Sequence, residues 1–164
     1  MRREIVTWNE IDRLIDHLVD QFEHEFEAMV IITRGGLIPG GLLAEALNIH
    51  HILTAAVDFP AQMEREREKL LVWPQFMQFP DEDLLIGRRT LVVDDVWSSG
   101  RTITAVKNRV SASGGLPYTC VLHFNPNRSL FGTVRPDYYA ARTDAFIVYP
   151  WESDRGPDRV LRDY

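Results

Sequence analysis

The sequence predicts an α/β protein, a single domain built on a doubly wound, mainly parallel sheet. Short apolar runs rich in β-branched residues recur along the chain, and stretches with helical spacing lie between them. Two of those runs end in loops of small residues that lead straight into a helix. With 164 residues the chain is one domain's length, enough to bury roughly two-thirds of the surface its unfolded form exposes.

Thr7-Trp8-Asn9-Glu10 fits a capping box, and Ile11, Leu14, Ile15, Leu18, Val19 and Phe22 then recur on one helical face, which predicts an amphipathic helix to about His24. His17 and His24 sit among its acids as solvated surface residues. Ala28 to Thr33 reads as an apolar strand, Arg34 to Gly41 as a glycine-rich loop, and Pro39 opens a helix through Leu42, Leu43, Ala46 and Leu47. His51 to Val57 is a further strand; the pair His50-His51 has no third ligand at a metal-binding spacing. From Asp58 to Asp83 periodicity is lost, and Glu64 to Lys69 alternates in sign. Thr90 to Val93 reads as a buried strand and Thr102 to Ala112 as a helix closed by Gly114-Gly115. Tyr118 to Phe124, Tyr138 to Ala141 and Phe146 to Tyr149 complete the strands, and a charged tail runs from Glu152 to Tyr164.

Composition excludes more than it identifies. A net charge of −6 and a pI near 5.3 argue against a broad nucleic-acid surface. The single Cys120, in an apolar run, excludes an internal disulfide and a cysteine-based zinc site and reads as a core residue. No apolar leader follows Met1-Arg2-Arg3-Glu4 and no apolar stretch is long enough for a membrane span, so the expected location is cytoplasmic.

The chemistry concentrates in Leu91 to Thr102, an apolar strand ending in Asp94-Asp95 and then the small polar loop Ser98-Ser99-Gly100-Arg101-Thr102. A helix that starts there aims free backbone N–H groups and the positive end of its dipole at the loop, which suits a phosphate. The acids suit sugar hydroxyls or Mg²⁺; alternatively one caps the helix and the other is solvated. The twelve-residue run resembles the signature for phosphoribosyl pyrophosphate (PRPP) of the type I phosphoribosyltransferases, and bacterial xanthine-guanine and hypoxanthine phosphoribosyltransferases are its nearest likeness.

The resemblance runs from about Val30 to Trp151 and implies the type I fold, with a core over about 28–151, a flexible flap over about 58–83 and a hood and tail over about 137–164. It implies transfer of a 5-phosphoribosyl group from PRPP to a nucleobase, a 6-oxopurine in purine salvage, with Mg²⁺ as cofactor and a homodimer or tetramer as the assembly. By resemblance, Asp94 and Asp95 face the ribose hydroxyls, Asp95 binds the metal, and Ser98 to Thr102 hold the 5'-phosphate. Thr33-Arg34-Gly35-Gly36 resembles the pyrophosphate loop; taken alone, its glycines also suit a plain tight turn. That loop often carries a non-proline cis peptide, expected here before Gly35. Lys69 or Arg67 brings a cation from the flap, unless the run is simply a solvated charge pattern. Phe146 stacks on the base, or is an ordinary strand aromatic, and Ile147 reads the base through its backbone. Two positions depart from the purine enzymes: Ser98 stands where they usually have a proton-carrying Asp, and Asn125 where they usually have a base-reading Lys. The departures leave open a non-purine base, or a PRPP or nucleotide sensor without efficient turnover.

Overall fold

Apolar runs that lack polar alternation fold as strands covered on both faces, and the three central runs of this chain do so. The computed structural model describes residues 2–59 and 73–153. Its elements are β1 (Arg3–Ile5), α1 (Trp8–Val19), β2 (Ala28–Ile32), α2 (Leu37–Ala46), β3 (Ile52–Asp58), β4 (Gln75–Gln78), a 3₁₀ turn (Glu82–Leu84), β5 (Arg89–Trp97), α3 (Arg101–Ala112), β6 (Leu116–Phe124), β7 (Tyr138–Arg142), β8 (Phe146–Val148) and α4 (Pro150–Ser153). Six strands form the main sheet in the order β4-β3-β2-β5-β6-β7, parallel except for the edge strand β4. The doubly wound expectation holds.

Alternate residues of the central strands feed two separate cores. Met29, Ile31, Leu91, Val93, Cys120 and Leu122 pack with Ile11, Ile15, Leu18 and Leu43 under α1 and α2. Val30, Ile32, Val92 and Val121 pack with Ile103, Val106 and Val110 under α3. Each buried aliphatic side chain contributes about 1.5 to 3 kcal/mol by leaving water, so this sandwich holds the strand ends in fixed register. Chain order reverses at the centre. From β2 the chain moves outward to β3 and β4, then returns to place β5 on β2's other side, so β2 and β5 flank the topological switch point at which open α/β sheets bind ligands.

Four elements differ from the sequence expectation. β1 pairs in parallel with β8 as a second, two-stranded sheet; its three exposed residues carry no period. β4 forms within the stretch Asp58 to Asp83, where only Phe76 of Gln75-Phe76-Met77-Gln78 is even half-buried. α1 ends at Val19, because a tighter turn through Gln21 and Phe22 continues from it; Phe22 still reaches the core, 4.7 Å from the Tyr138 ring. β5 runs on through Asp94 and Asp95 to Trp97. Among the described residues no helix is long and apolar enough to cross a membrane.

The capping box is present in full: the Thr7 hydroxyl accepts the Glu10 N–H, and Glu10 accepts the Thr7 N–H at 2.7 Å. Thr7→Ala should lower the unfolding free energy by about 1 kcal/mol in urea titration, with the slope unchanged.

Candidate functional site at the ends of the central strands

The loops after β2 and β5 meet at the switch point. Register between these strands ends at Ile31 opposite Val93, so Asp94 and Asp95 project past β2 into the space over which the glycine loop folds. Contact is direct. A Cβ at Gly35 would lie 2.6 Å from the Asp95 carboxylate, and one at Gly36 would lie 2.4 Å from the Val93 carbonyl oxygen. Only bare backbone fits there. The non-proline cis peptide is Thr33–Arg34, one bond earlier than the expected position before Gly35. Arg34 is exposed beside it.

The acids are tied into their own strand. Asp94 Oδ1 accepts the Asp95 N–H at 2.9 Å, and Asp95 Oδ1 accepts the Val96 N–H at 2.7 Å. Desolvation, and then the neighbouring Asp95 charge, holds the Asp94 carboxyl well above the usual carboxylate range. Desolvation likewise raises Asp95 to about 6, partly offset by its backbone hydrogen bond. Among the described residues, no Lys or Arg pairs with either. Two desolvated, uncompensated hard oxygen ligands suit a divalent cation.

The loop Ser98-Ser99-Gly100 turns sharply into α3. Gly100 is left-handed with φ 79°, and a Cβ there would lie 2.3 Å from the Trp97 indole nitrogen. Trp97, which the motif reading left without a role, is buried against Phe124 and Phe131 and donates to Ser129 Oγ at 3.1 Å. It is the floor of the loop. Ser99 Oγ accepts the Arg101 N–H at 3.3 Å. Ser98 and Thr102 are half-buried at either end. Arg101 contributes backbone to the loop, but its guanidinium stacks 4.0 Å over the Phe59 ring, and its Nη2 has no partner among the described residues. A cavity of about 770 Å³ opens there behind α3, lined by Arg101, Thr104, Arg109, Phe59, Phe76 and Phe131.

Other expected residues come from β8 and from the end of β6, where the Asn125 N–H donates to the Trp97 carbonyl at 2.9 Å. Phe146 is 47% exposed on β8, with the Arg3 guanidinium 5.9 Å over its ring. Ile147 is buried, and because Phe146 and Val148 make the bonds to β1, its own N–H and C=O face the other edge of β8. Asn125 is buried, and its Oδ1 already accepts the Asn127 and Arg128 N–H groups at 3.2 and 3.3 Å, so that oxygen closes a turn. Lys69 and Arg67 lie outside the described residues.

A family model for the phosphoribosyl transferase domain matches residues 4–151 of this chain, starting well before Val30. The chain belongs to that family. The xanthine-guanine phosphoribosyltransferase of Chromohalobacter salexigens is 29% identical over 150 residues, covering 90% of this transferase and 82% of the relative. A solved purine phosphoribosyltransferase from Pyrococcus horikoshii superposes with a TM-score of 0.76 at 29% identity, covering 93% of this chain and 95% of that one. The xanthine-guanine-hypoxanthine phosphoribosyltransferase of Helicobacter pylori reaches the same TM-score at 17% identity, covering 93% and 96%, and shares the fold.

The acid pair gives the transferase a stability that depends on pH. A carboxyl with a raised native pKa binds more protons folded than unfolded, so stability is fully present below the ordinary value of 3.8 and is lost as pH rises towards about 6. Asp94→Asn keeps an oxygen for the Asp95 N–H and removes one buried charge. Its unfolding temperature should exceed the parent's at pH 7, with the gap closing below about pH 4, as followed by circular dichroism. A variant less stable than the parent at pH 7 would contradict this electrostatic account.

Proposed function

We propose that this transferase moves the 5-phosphoribosyl group of PRPP to a ring nitrogen of a purine base, a 6-oxopurine, and releases pyrophosphate. The observation that carries the reading is the contact of the Gly35 backbone with the Asp95 carboxylate, which brings a pyrophosphate-type loop and a ribose-type acid pair within one ligand's span. The names of the relatives, xanthine-guanine and purine phosphoribosyltransferases, support the purine.

In this reading Asp94 and Asp95 accept the ribose hydroxyls, and the backbone of Ser98, Ser99, Gly100, Arg101 and Thr102 receives the 5'-phosphate at the start of α3. Arg34, the N–H groups of Gly35 and Gly36, and Lys69 from the flap receive the pyrophosphate. Mg²⁺, held by Asp95, would neutralise phosphate charge as the sugar takes on oxocarbenium character. Phe146 stacks on the base and the free edge of Ile147 reads it. Asn125 retains only its amide N–H₂ for the base, so its contribution there is a donor.

Ser98 sets the expected rate. A hydroxyl cannot hold a proton near neutral pH as a carboxylate does, and positioned acid–base groups contribute roughly 10² to 10⁴. Pyrophosphate release measured with PRPP and a panel of bases should be slow on hypoxanthine, guanine and xanthine. Ser98→Asp should be at least about tenfold faster, with PRPP affinity nearly unchanged because the phosphate contacts are mainly backbone. Turnover confined to pyrimidines would refute the purine assignment. PRPP binding without release from any base would point to a regulator.

Assembly follows from α2. Leu37, Ile38 and Leu42 are 46%, 37% and 37% exposed on a helix whose one polar side chain is Glu45, an apolar surface that calls for a cover. A second copy of this chain is the proposed cover, giving a homodimer or tetramer. Multi-angle light scattering should read at least two chains per particle, and Leu42→Glu should shift it toward one.

A further inference from the structure

Tyr149 directly follows β8 and is 1% exposed. Its ring stacks on Trp151 with centroids 4.5 Å apart and planes 5° from parallel, and its N–H donates to Glu152 Oε2 at 3.0 Å. A phenol so far from water needs partners for its hydroxyl, and this one has two. It donates to the backbone carbonyl of Asp95 at 2.9 Å, and Nδ1 of the buried His123 lies 2.9 Å from the Tyr149 hydroxyl oxygen. A hydroxyl has a single proton. With that proton given to Asp95, the second contact is filled by an N–H, so His123 carries its proton on Nδ1 and donates. A directed line therefore runs from β6 through Tyr149 to the second acid.

Asp95 stands beyond the end of β2, where the β2 ladder no longer holds β5. Two side chains hold its peptide units instead: the Asp94 carboxylate accepts its N–H and the Tyr149 hydroxyl donates to its C=O. A peptide unit that tilts carries its side chain with it, and small displacements of a reacting group are costly in rate. Tyr149 is also two residues from Ile147, on the segment facing the base in the functional reading above.

We propose that Tyr149 is a positioning residue: its hydroxyl sets the direction of the Asp95 carboxylate and ties the base-facing strand β8 to the PRPP-facing acid pair. The inference rests on the proposed phosphoribosyl transfer. His123 serves Tyr149 as the donor that fixes the direction of its hydroxyl.

Tyr149→Phe keeps the ring, the volume and the stack on Trp151, and deletes one oxygen. Steady-state rates with Mg²⁺, PRPP and the base that the native protein uses should show the PRPP KM and the half-saturating Mg²⁺ concentration raised at least about fivefold, with the KM for the base within about twofold. Trp151→Leu loosens the same packing but keeps the hydroxyl, and should leave the PRPP and Mg²⁺ values where they are. Unchanged values in Tyr149→Phe, or equal shifts in both variants, would overturn the proposal. Assays are run where circular dichroism shows each variant folded; should Tyr149→Phe not fold, His123→Phe replaces it, with a smaller shift in the same direction supporting the proposal and no shift refuting it. If the native protein turns over no base, the functional reading fails, and calorimetry still decides the role of Tyr149: PRPP binding weakened about fivefold in the variant supports it and equal binding overturns it.

Discussion

Bare backbone lying against a carboxylate is the constraint on which the site depends. The Asp95 oxygens occupy the volume that a Gly35 side chain would need, so the loop after β2 and the end of β5 act as one object. Their meeting requires β2 and β5 to be neighbours, which the reversal of chain order provides, and requires β5 to outrun β2, which its pairing with β6 as far as Trp97 provides. Both loops then face the same crevice.

Electrostatics makes that object costly to fold. Two adjacent carboxyl groups are desolvated with no cationic side chain paired to them among the described residues, and the protein offsets the penalty with cores on both sheet faces. Buried uncompensated charge of this kind leaves a fold less stable than a neutral substitute would, and perturbed carboxyls cluster at functional sites. Trp97 plays the complementary part: it fills the space beneath Gly100 and leaves the loop little freedom to rearrange.

The parts legible in the sequence were those with a local signal. Apolar runs announced β2, β5 and β6, a capping box announced α1, and the order of strand, acids, small residues and helix announced the tight turn into α3. What was illegible depended on distant partners. Arg3-Glu4-Ile5 is a strand only because β8 lies beside it, and Gln75-Phe76-Met77-Gln78 only because β3 offers an edge. Acids disfavour strands, yet pairing with β6 carries β5 through Asp94 and Asp95. Asn125 was read as facing a base; that its oxygen also closes a turn carried no signal in the sequence. Tyr149 gave no signal at all, since a hydroxyl's partner is a matter of tertiary placement. Trp97 could have been found: a large aromatic between two acids and a run of small residues has to pack somewhere.

The pairing of β1 with β8 has a consequence for how the molecule is made. Arg2 and Asp144 form an ion pair across 142 residues of sequence, among the longest loops this chain can close. During synthesis Arg3–Ile5 must therefore wait for Phe146–Val148 before that small sheet forms. The large sheet can assemble earlier from strands closer in sequence, and long-range closures come late because their entropy is repaid only on completion. The segment bearing Phe146 and Tyr149 is thus a finishing piece, and the hydrogen bond from the Tyr149 hydroxyl to the Asp95 carbonyl forms only when it docks.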